Sequence, residues 1–270
     1  MNTMATTTST FATYLREWRQ RRRMSQLDLA LEAEISARHL SFVETGKSQP
    51  SLEMVLRLAE RLEVPLRERN VLLSAAGFAP VFPERKLDDP AMQNARRAVE
   101  LVLKGHEPYP ALAIDRHWTM VAANAAVGPL LAGASAALLA PPVNVLRLSL
   151  HPEGLSRRIV NLAQWRAHLL DRLRRQVEIT ADPVLASLLK ELEDYASPRP
   201  AWTATSSDFA DVIVPLRLRT GGDTVLSFIS TTTVFGTPQD IALSELALET
   251  FFPADAVTAE ILRGMAVPAS

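Results

Sequence analysis

The stretch SQLDLALEAEISARHLSFVETGKSQP, residues 25–50, decides how the N-terminal part of this chain folds. A helix–turn–helix needs a small residue where its two helices cross, and Ala30 provides it. It needs an apolar residue just after the turn, Ile35, and two more on the inner face of the second helix, Leu40 and Val43. All four stand at the required offsets, and Ser36 is placed to cap the second helix. Side chains on the opposite face of that helix are then left free.

Three more helices surround this pair. Phe11, Leu15 and Trp18 recur at helical spacing and predict the first. The second runs from Gln26 to Ala33, with Leu27, Ala30 and Leu31 expected to face inward, and Gly46 ends the third. Ser51 caps a fourth whose expected apolar stripe is Leu52, Val55, Leu56, Ala59 and Leu62. Pro65 opens a fifth and Gly77 stops it. Before the first helix, MNTMATTTST lacks the basic flank and apolar run of a signal peptide and reads as a frayed start.

After Gly77 the pattern changes. Pro80, Pro83 and Pro90 surround a charged run, Glu84 to Asp89, that reads as a linker. Met92 to Leu103 predicts a connecting helix, and His106 to Pro110 breaks it. Ala111–Ile114 and Trp118–Ala123 predict two strands around an Asp115-Arg116-His117 turn. Leu155, Ile159, Leu162, Leu169, Leu173 and Val177 predict one amphipathic helix; Val184, Leu185, Leu188, Leu189 and Leu192 predict another. The period then becomes two. Val212, Val214, Leu216 and Leu218 alternate, Gly221-Gly222 turns the chain into Val225–Val234, and Leu246, Leu248 and Thr250 add a last strand. The expected organisation is α+β: an all-α five-helix domain over 1–79, a linker and helix over 80–108, and an antiparallel sheet covered by helices over 109–270.

Composition narrows the chemistry. With 270 residues, 47% hydrophobic and 22% charged, the chain is long enough for two ordinary cores. It has no cysteine, which removes disulfides, thiol nucleophiles and Cys-ligated metal together. No run approaches the roughly 18 apolar residues that span a bilayer, so a cytoplasmic protein with no membrane partner is expected. Net charge is −1, so affinity for nucleic acid must come from a local concentration of positive charge. Arg16, Arg19, Arg21, Arg22 and Arg23 form such a cluster, either a solvated helix face or a phosphate contact. Gly46-Lys47-Ser48 imitates the end of a phosphate loop, but position 41 is Ser41 and no strand precedes it.

Residues 11 to 77 resemble the Xre (lambda-repressor-like) helix-turn-helix regulators, which implies double-stranded DNA as partner. By position in that family, Gln26 touches a phosphate and braces the recognition helix, which begins at Ser36, Ala37, Arg38 and His39. Arg38 is the expected base reader, because a guanidinium can bond guanine O6 and N7 together. Ser41 and Phe42 lie one turn further on, and Lys47 and Ser48 are expected to meet the DNA backbone. One residue departs from the pattern: the turn position usually held by glycine is Glu34.

Tyr109 to Asn124 resembles the opening hairpin of PAS-type sensor domains. The blocks Asn144–Leu148, Leu150–Leu155, Val214–Thr220, Phe235–Pro238 and Glu249–Asp255 resemble the ligand-binding domain of MmyB-like regulators. The resemblance implies a PAS-like fold that holds an apolar small molecule, with fatty acids as the suggested class. Candidate cavity-wall residues are Trp118, Leu146, Leu150, Trp165, Leu169, Phe228 and Phe235, and for any one of them plain core packing is the favoured alternative. A carboxylate head would need a cation or donor, for which His151, Arg157 and Arg158 are candidates. No cofactor beyond such a ligand and no metal are expected. There is no G-x-S-x-G elbow, and the five histidines lack metal-ligand spacing, so an enzyme is not expected. A homodimer on a two-fold DNA site is expected; the rival is a second domain that only dimerises or binds a protein.

Overall fold

The computed structural model describes residues 10–195, 213–222, 224–236 and 238–266. Of the N-terminal segment read as a frayed start, residues 1–9 lie outside the described residues, as do the positions Val212 and Thr237, whereas Thr10 is described. The chain divides into two compact units after Glu84, with Gln239–Ile241 belonging to the first. Among the described residues, no helix is long and apolar enough to cross a membrane.

The first unit is built from α1 (Phe11–Arg21), α2 (Gln26–Glu32), α3 (Ala37–Glu44), α4 (Leu52–Arg61) and α5 (Leu66–Ala75). Thr10, Ser25, Ser36 and Ser51 each accept a backbone N–H at the start of α1 to α4, and Ser25 and Asp28 form a reciprocal capping box. The helix ends share one device. After each of the five, a residue with positive φ closes the helix: Arg23, Glu34, Gly46, Glu63 and Gly77. The next N–H reaches back to the carbonyl five residues earlier, as Ile35 does to Ala30 at 2.9 Å and Lys47 to Phe42 at 2.8 Å. In four cases that next residue is apolar and packs on the core: Met24, Ile35, Val64 and Phe78. After α3 it is Lys47, which is exposed.

The core joins Phe11, Leu15, Trp18, Leu29, Ala30, Ala33, Leu40, Val43, Val55, Leu58 and Leu62. Two details differ from the sequence expectation. Leu27 and Leu31 of α2 face outward, 57% and 69% exposed, while Leu29, Ala30 and Ala33 face in. Four of its seven residues are leucine or alanine, spread over more than one face, so the period does not fix its phase. In α4 the inner stripe includes Leu58, whereas Leu52 is exposed.

The second unit begins with α6 (Gln93–Gly105), followed by the hairpin β1 (Ala111–Ile114) and β2 (Met120–Ala123). Helices α7 (Ala136–Leu139), α8 (Val145–Leu150), α9 (Leu162–Thr180) and α10 (Pro183–Asp194) come next. Then follow β3 (Leu216–Arg219), β4 (Val225–Val234), α11 (Ile241–Ser244), β5 (Ala247–Pro253) and α12 (Ala256–Ala266). The five strands form one antiparallel sheet in the order β2-β1-β5-β4-β3. The whole is α+β, with the curled, helix-covered sheet that the PAS-like resemblance implies.

Strand alternation sorts the two sheet faces. Ala111, Ala113 and Leu248 pack with Val99 and Leu103 of α6 on one side. Ile114, Leu218 and Phe228 pack with α8, α9 and α10 on the other. The first amphipathic helix starts at Leu162 rather than Leu155, because Leu155 and Ile159 serve other partners. Leu155 N–H bonds the Leu148 carbonyl at 2.8 Å, and Ile159 forms a bridge with Leu218. Both residues are apolar for these contacts, Leu155 beside α8 and Ile159 at the sheet, at spacings that mimic a helix. Gly154 lies in this crossing because a Cβ there would stand 2.2 Å from the Leu148 carbonyl oxygen. Helices α8 and α12 went unread in the sequence.

Candidate DNA-binding helix and ligand cavity

Helix α3 presents Ser36, Ala37, Arg38 and Phe42 to solvent, with Ser41 half-buried. The Arg38 guanidinium lies over the Phe42 ring at 5.4 Å, which holds its long side chain along the outer face. Lys47 stands exposed just beyond the helix, with Ser48 half-buried beside it. His39 is set apart from this row: it is half-buried, and its Nε2 lies 3.3 Å from Met54 Sδ on α4. Ser36 uses its hydroxyl to accept the His39 N–H.

What fixes α3 in place is a buried ionic cluster at its C-terminal end. Glu44 is 1% exposed. Arg19 Nε and Nη2 donate to its two carboxylate oxygens at 2.6 and 2.9 Å, and Gln26 Nε2 donates at 2.8 Å. Arg16 donates to the Glu44 carbonyl at 2.8 Å. Burial pushes the Glu44 carboxyl up, but the hydrogen bonds from Arg19 and Gln26 outweigh it and hold the group below the usual carboxylate range. Gln26 therefore meets α3 through its side chain. Within the arginine cluster, Arg16, Arg19 and Arg22 bond the protein itself, Arg22 through the carbonyls of Leu62 and Glu63, while Arg21 and Arg23 stand exposed.

Glu34 adopts φ 57°, the left-handed conformation that the glycine-preferring position requires. Its side chain is exposed and no benefit of it offsets the strain. Glu34→Gly is expected to stabilise the first unit by about 1 kcal/mol, raising its melting midpoint by about 4–8 °C. Differential scanning calorimetry of the full chain reads this directly, and an unchanged or lower midpoint contradicts it.

In the second unit, a cavity of about 110 Å³ lies between the sheet and helices α8 and α9. Trp118, Leu146, Trp165, Leu169 and Phe228 line it, as expected from the sequence, and Met120, Leu148, Leu218 and Phe251 join them. Two expected wall residues and the head-group candidate His151 lie elsewhere. Leu150 is buried in the adjoining core, and Phe235 packs on the opposite sheet face with α6, because the chain has left β4 by then. His151 caps the end of α8, its Nδ1 accepting the Glu153 N–H at 3.1 Å. The anticipated head-group arginines are also elsewhere: Arg157 is exposed, and Arg158 donates to the carbonyls of Arg219, Leu130 and Ala132.

The charged groups at the cavity are ones the sequence reading missed, Arg172 and Glu249. Arg172 bonds both Glu249 oxygens, at 3.2 and 2.5 Å, and Thr232 Oγ1 at 2.8 Å. Its guanidinium lies 4.5 Å from the centre of the Trp118 ring. Trp118 is itself pinned at φ 64°, with its indole N–H donating to Gln176 at 2.8 Å. Helical spacing could have found Arg172, seven residues after Trp165 and three after Leu169. Strand alternation could have found Glu249, two before Phe251.

A helix-turn-helix with an exposed recognition row, joined to a separate unit with an apolar cavity, defines a DNA-binding regulator with a ligand-binding domain. A family model for the MmyB-like transcription regulator ligand binding domain matches residues 95–265, and a helix-turn-helix model matches residues 15–69. No curated protein matches the chain. The first match covers more than half of the sequence, and the chain belongs to the MmyB-like transcription regulators.

Proposed function

We propose that this regulator binds a two-fold DNA site as a homodimer, and that its second unit senses an apolar small molecule. The observation that carries the sensing half is the cavity, walled by tryptophan, leucine and phenylalanine beneath a single polar end. A domain that served only to dimerise would need no such space. Fatty acids are the ligand class that the family resemblance implies. The ligand alters DNA affinity insofar as it binds the DNA-competent state and the alternative state unequally.

Mass spectrometry of an organic extract of the full-length, denatured protein tests this half. A small apolar molecule at about one per chain is expected. An empty extract, together with no shift in melting on adding apolar compounds, would establish the dimerisation-only reading instead.

For the DNA half, Arg38 is the base reader and Lys47 a backbone contact, since both stand exposed, Arg38 in the first turn of α3 and Lys47 just past its end. Arg38→Ala is expected to weaken specific binding by about 1–3 kcal/mol and relax preference at one base pair. Binding measured against a set of single-base operator variants checks both effects. Unchanged affinity and preference would place the reading side chain elsewhere on α3.

A further inference from the structure

Granting that the second unit senses fatty acids, we propose that the Arg172–Glu249 pair is its head-group site, and that a carboxylate ligand binds there together with one proton. Among the described residues lining the cavity, Arg172 and Glu249 are the two ionisable ones. Arg172 is held in place without being used up. Its Nη1 donates to Glu249 at 3.2 Å, and its Nη2 donates to Glu249 at 2.5 Å and to Thr232 Oγ1 at 2.8 Å. The guanidinium also lies over the Trp118 ring. Among the described residues, these bonds leave its Nε–H and the second N–H of Nη1 without a partner. A ligand carboxylate can therefore reach Arg172 without expelling Glu249.

Charge decides what happens next. Glu249 stays where it is, because its side chain is 6% exposed and sits in a central strand. One guanidinium then faces two carboxylates in a largely apolar wall, and it balances only one of them. Carboxylates placed so close do not both stay ionised; they share a proton, which belongs to the pair. The groups that face Glu249 offer no other compensation. From β4 comes the Thr232 hydroxyl, from β1 the opposite residue Leu112, and from α9 His168 beside Arg172. His168 is stacked on Trp165, and burial together with Arg172 and Arg175 holds it below the usual histidine value, against the opposing pull of Asp171 and Glu249. It supplies no cation at neutral pH. The proton therefore comes from solvent and lies between the ligand head and Glu249. Linkage fixes the sign: the complex holds one proton more than its separate parts, so affinity falls about tenfold for each unit of rising pH.

Isothermal titration calorimetry of the full-length chain with decanoate, in phosphate and in Tris at the same neutral pH, counts the protons exchanged. About one proton taken up per decanoate is expected, with the dissociation constant rising about tenfold over one unit of rising pH. In Glu249→Gln, which keeps the shape and removes the competing charge, uptake is expected to vanish and decanoate to bind at least tenfold more tightly than to wild type. His168→Gln should keep the uptake. Decanoate binding to wild type without proton uptake would overturn the inference, placing the head group away from the pair while leaving the sensing reading intact. Uptake that persists in Glu249→Gln, or is lost in His168→Gln, would overturn it by assigning the proton to another group. If decanoate does not bind at all, the fatty-acid reading falls and this inference with it. Wild type and His168→Gln decide the matter should Glu249→Gln fail to fold.

Discussion

Replacing Glu44 by alanine is expected to destabilise the helix-turn-helix unit by about 3–5 kcal/mol, because it leaves the Arg19 guanidinium buried without a counter-charge. The side chains are 11% and 0% exposed for Arg19 and Glu44, so water cannot take over the lost bonds. Gln26 loses its acceptor in the same step. The effect belongs to the first unit alone. Hydrogen exchange of the α1 to α5 amides in the full-length chain should quicken by about two to three and a half orders of magnitude, with the sheet of the second unit unaltered. DNA affinity falls with it, since the C-terminal end of α3 is held only through this cluster and its apolar face. Loss of under about 1 kcal/mol would mean that the pair behaves as an exposed one.

Two further results follow from the same physics. Replacing both partners, Arg19→Met with Glu44→Leu, should cost far less than Glu44→Ala, because an apolar pair needs no compensation. The pH dependence has a definite sign. Glu44 is held below its unfolded value, so its contribution is fully present above the usual carboxylate range and is lost as pH falls through the folded value. The wild-type unit should therefore weaken in acid along a limb that Glu44→Ala lacks.

The five helices were legible because helix caps and apolar spacing are local signals. Ser25, Ser36, Ser51 and Pro65 mark starts within one residue of where the helices begin. The phase of α2 was not legible, since its leucines and alanine spread over more than one face and only tertiary packing chooses Leu29 over Leu27 and Leu31. Nor was the inward turn of the arginines. Whether a charged side chain meets solvent or a buried carboxylate depends on a partner 25 residues away, which no local pattern contains. The cavity shows the same division. Aromatic and leucine positions on α9 and β4 could be assigned to a wall by periodicity. The pairing of Arg172 with Glu249 joins residues 77 apart through a strand register that one sequence does not reveal.

Truncating Phe228 to alanine is the second large effect expected, about 3–5 kcal/mol from the second unit. The ring is fully buried, lies opposite Leu216 in the sheet register, and meets Phe251 edge-on with centroids 6.2 Å apart. Because Phe228 also lines the cavity, the loss does not leave an isolated void; it enlarges a space already present by the volume of a phenyl ring. That distinction makes the variant diagnostic. Without the ring the cavity gains room for benzene beyond the native volume of about 110 Å³. At about one hundred times its dissociation constant it would return about 2.7 kcal/mol. Melting curves of the full-length chain with and without benzene should show a much larger upward shift for Phe228→Ala than for wild type. Equal shifts in the two proteins would place the benzene, and the cavity it reports on, away from Phe228.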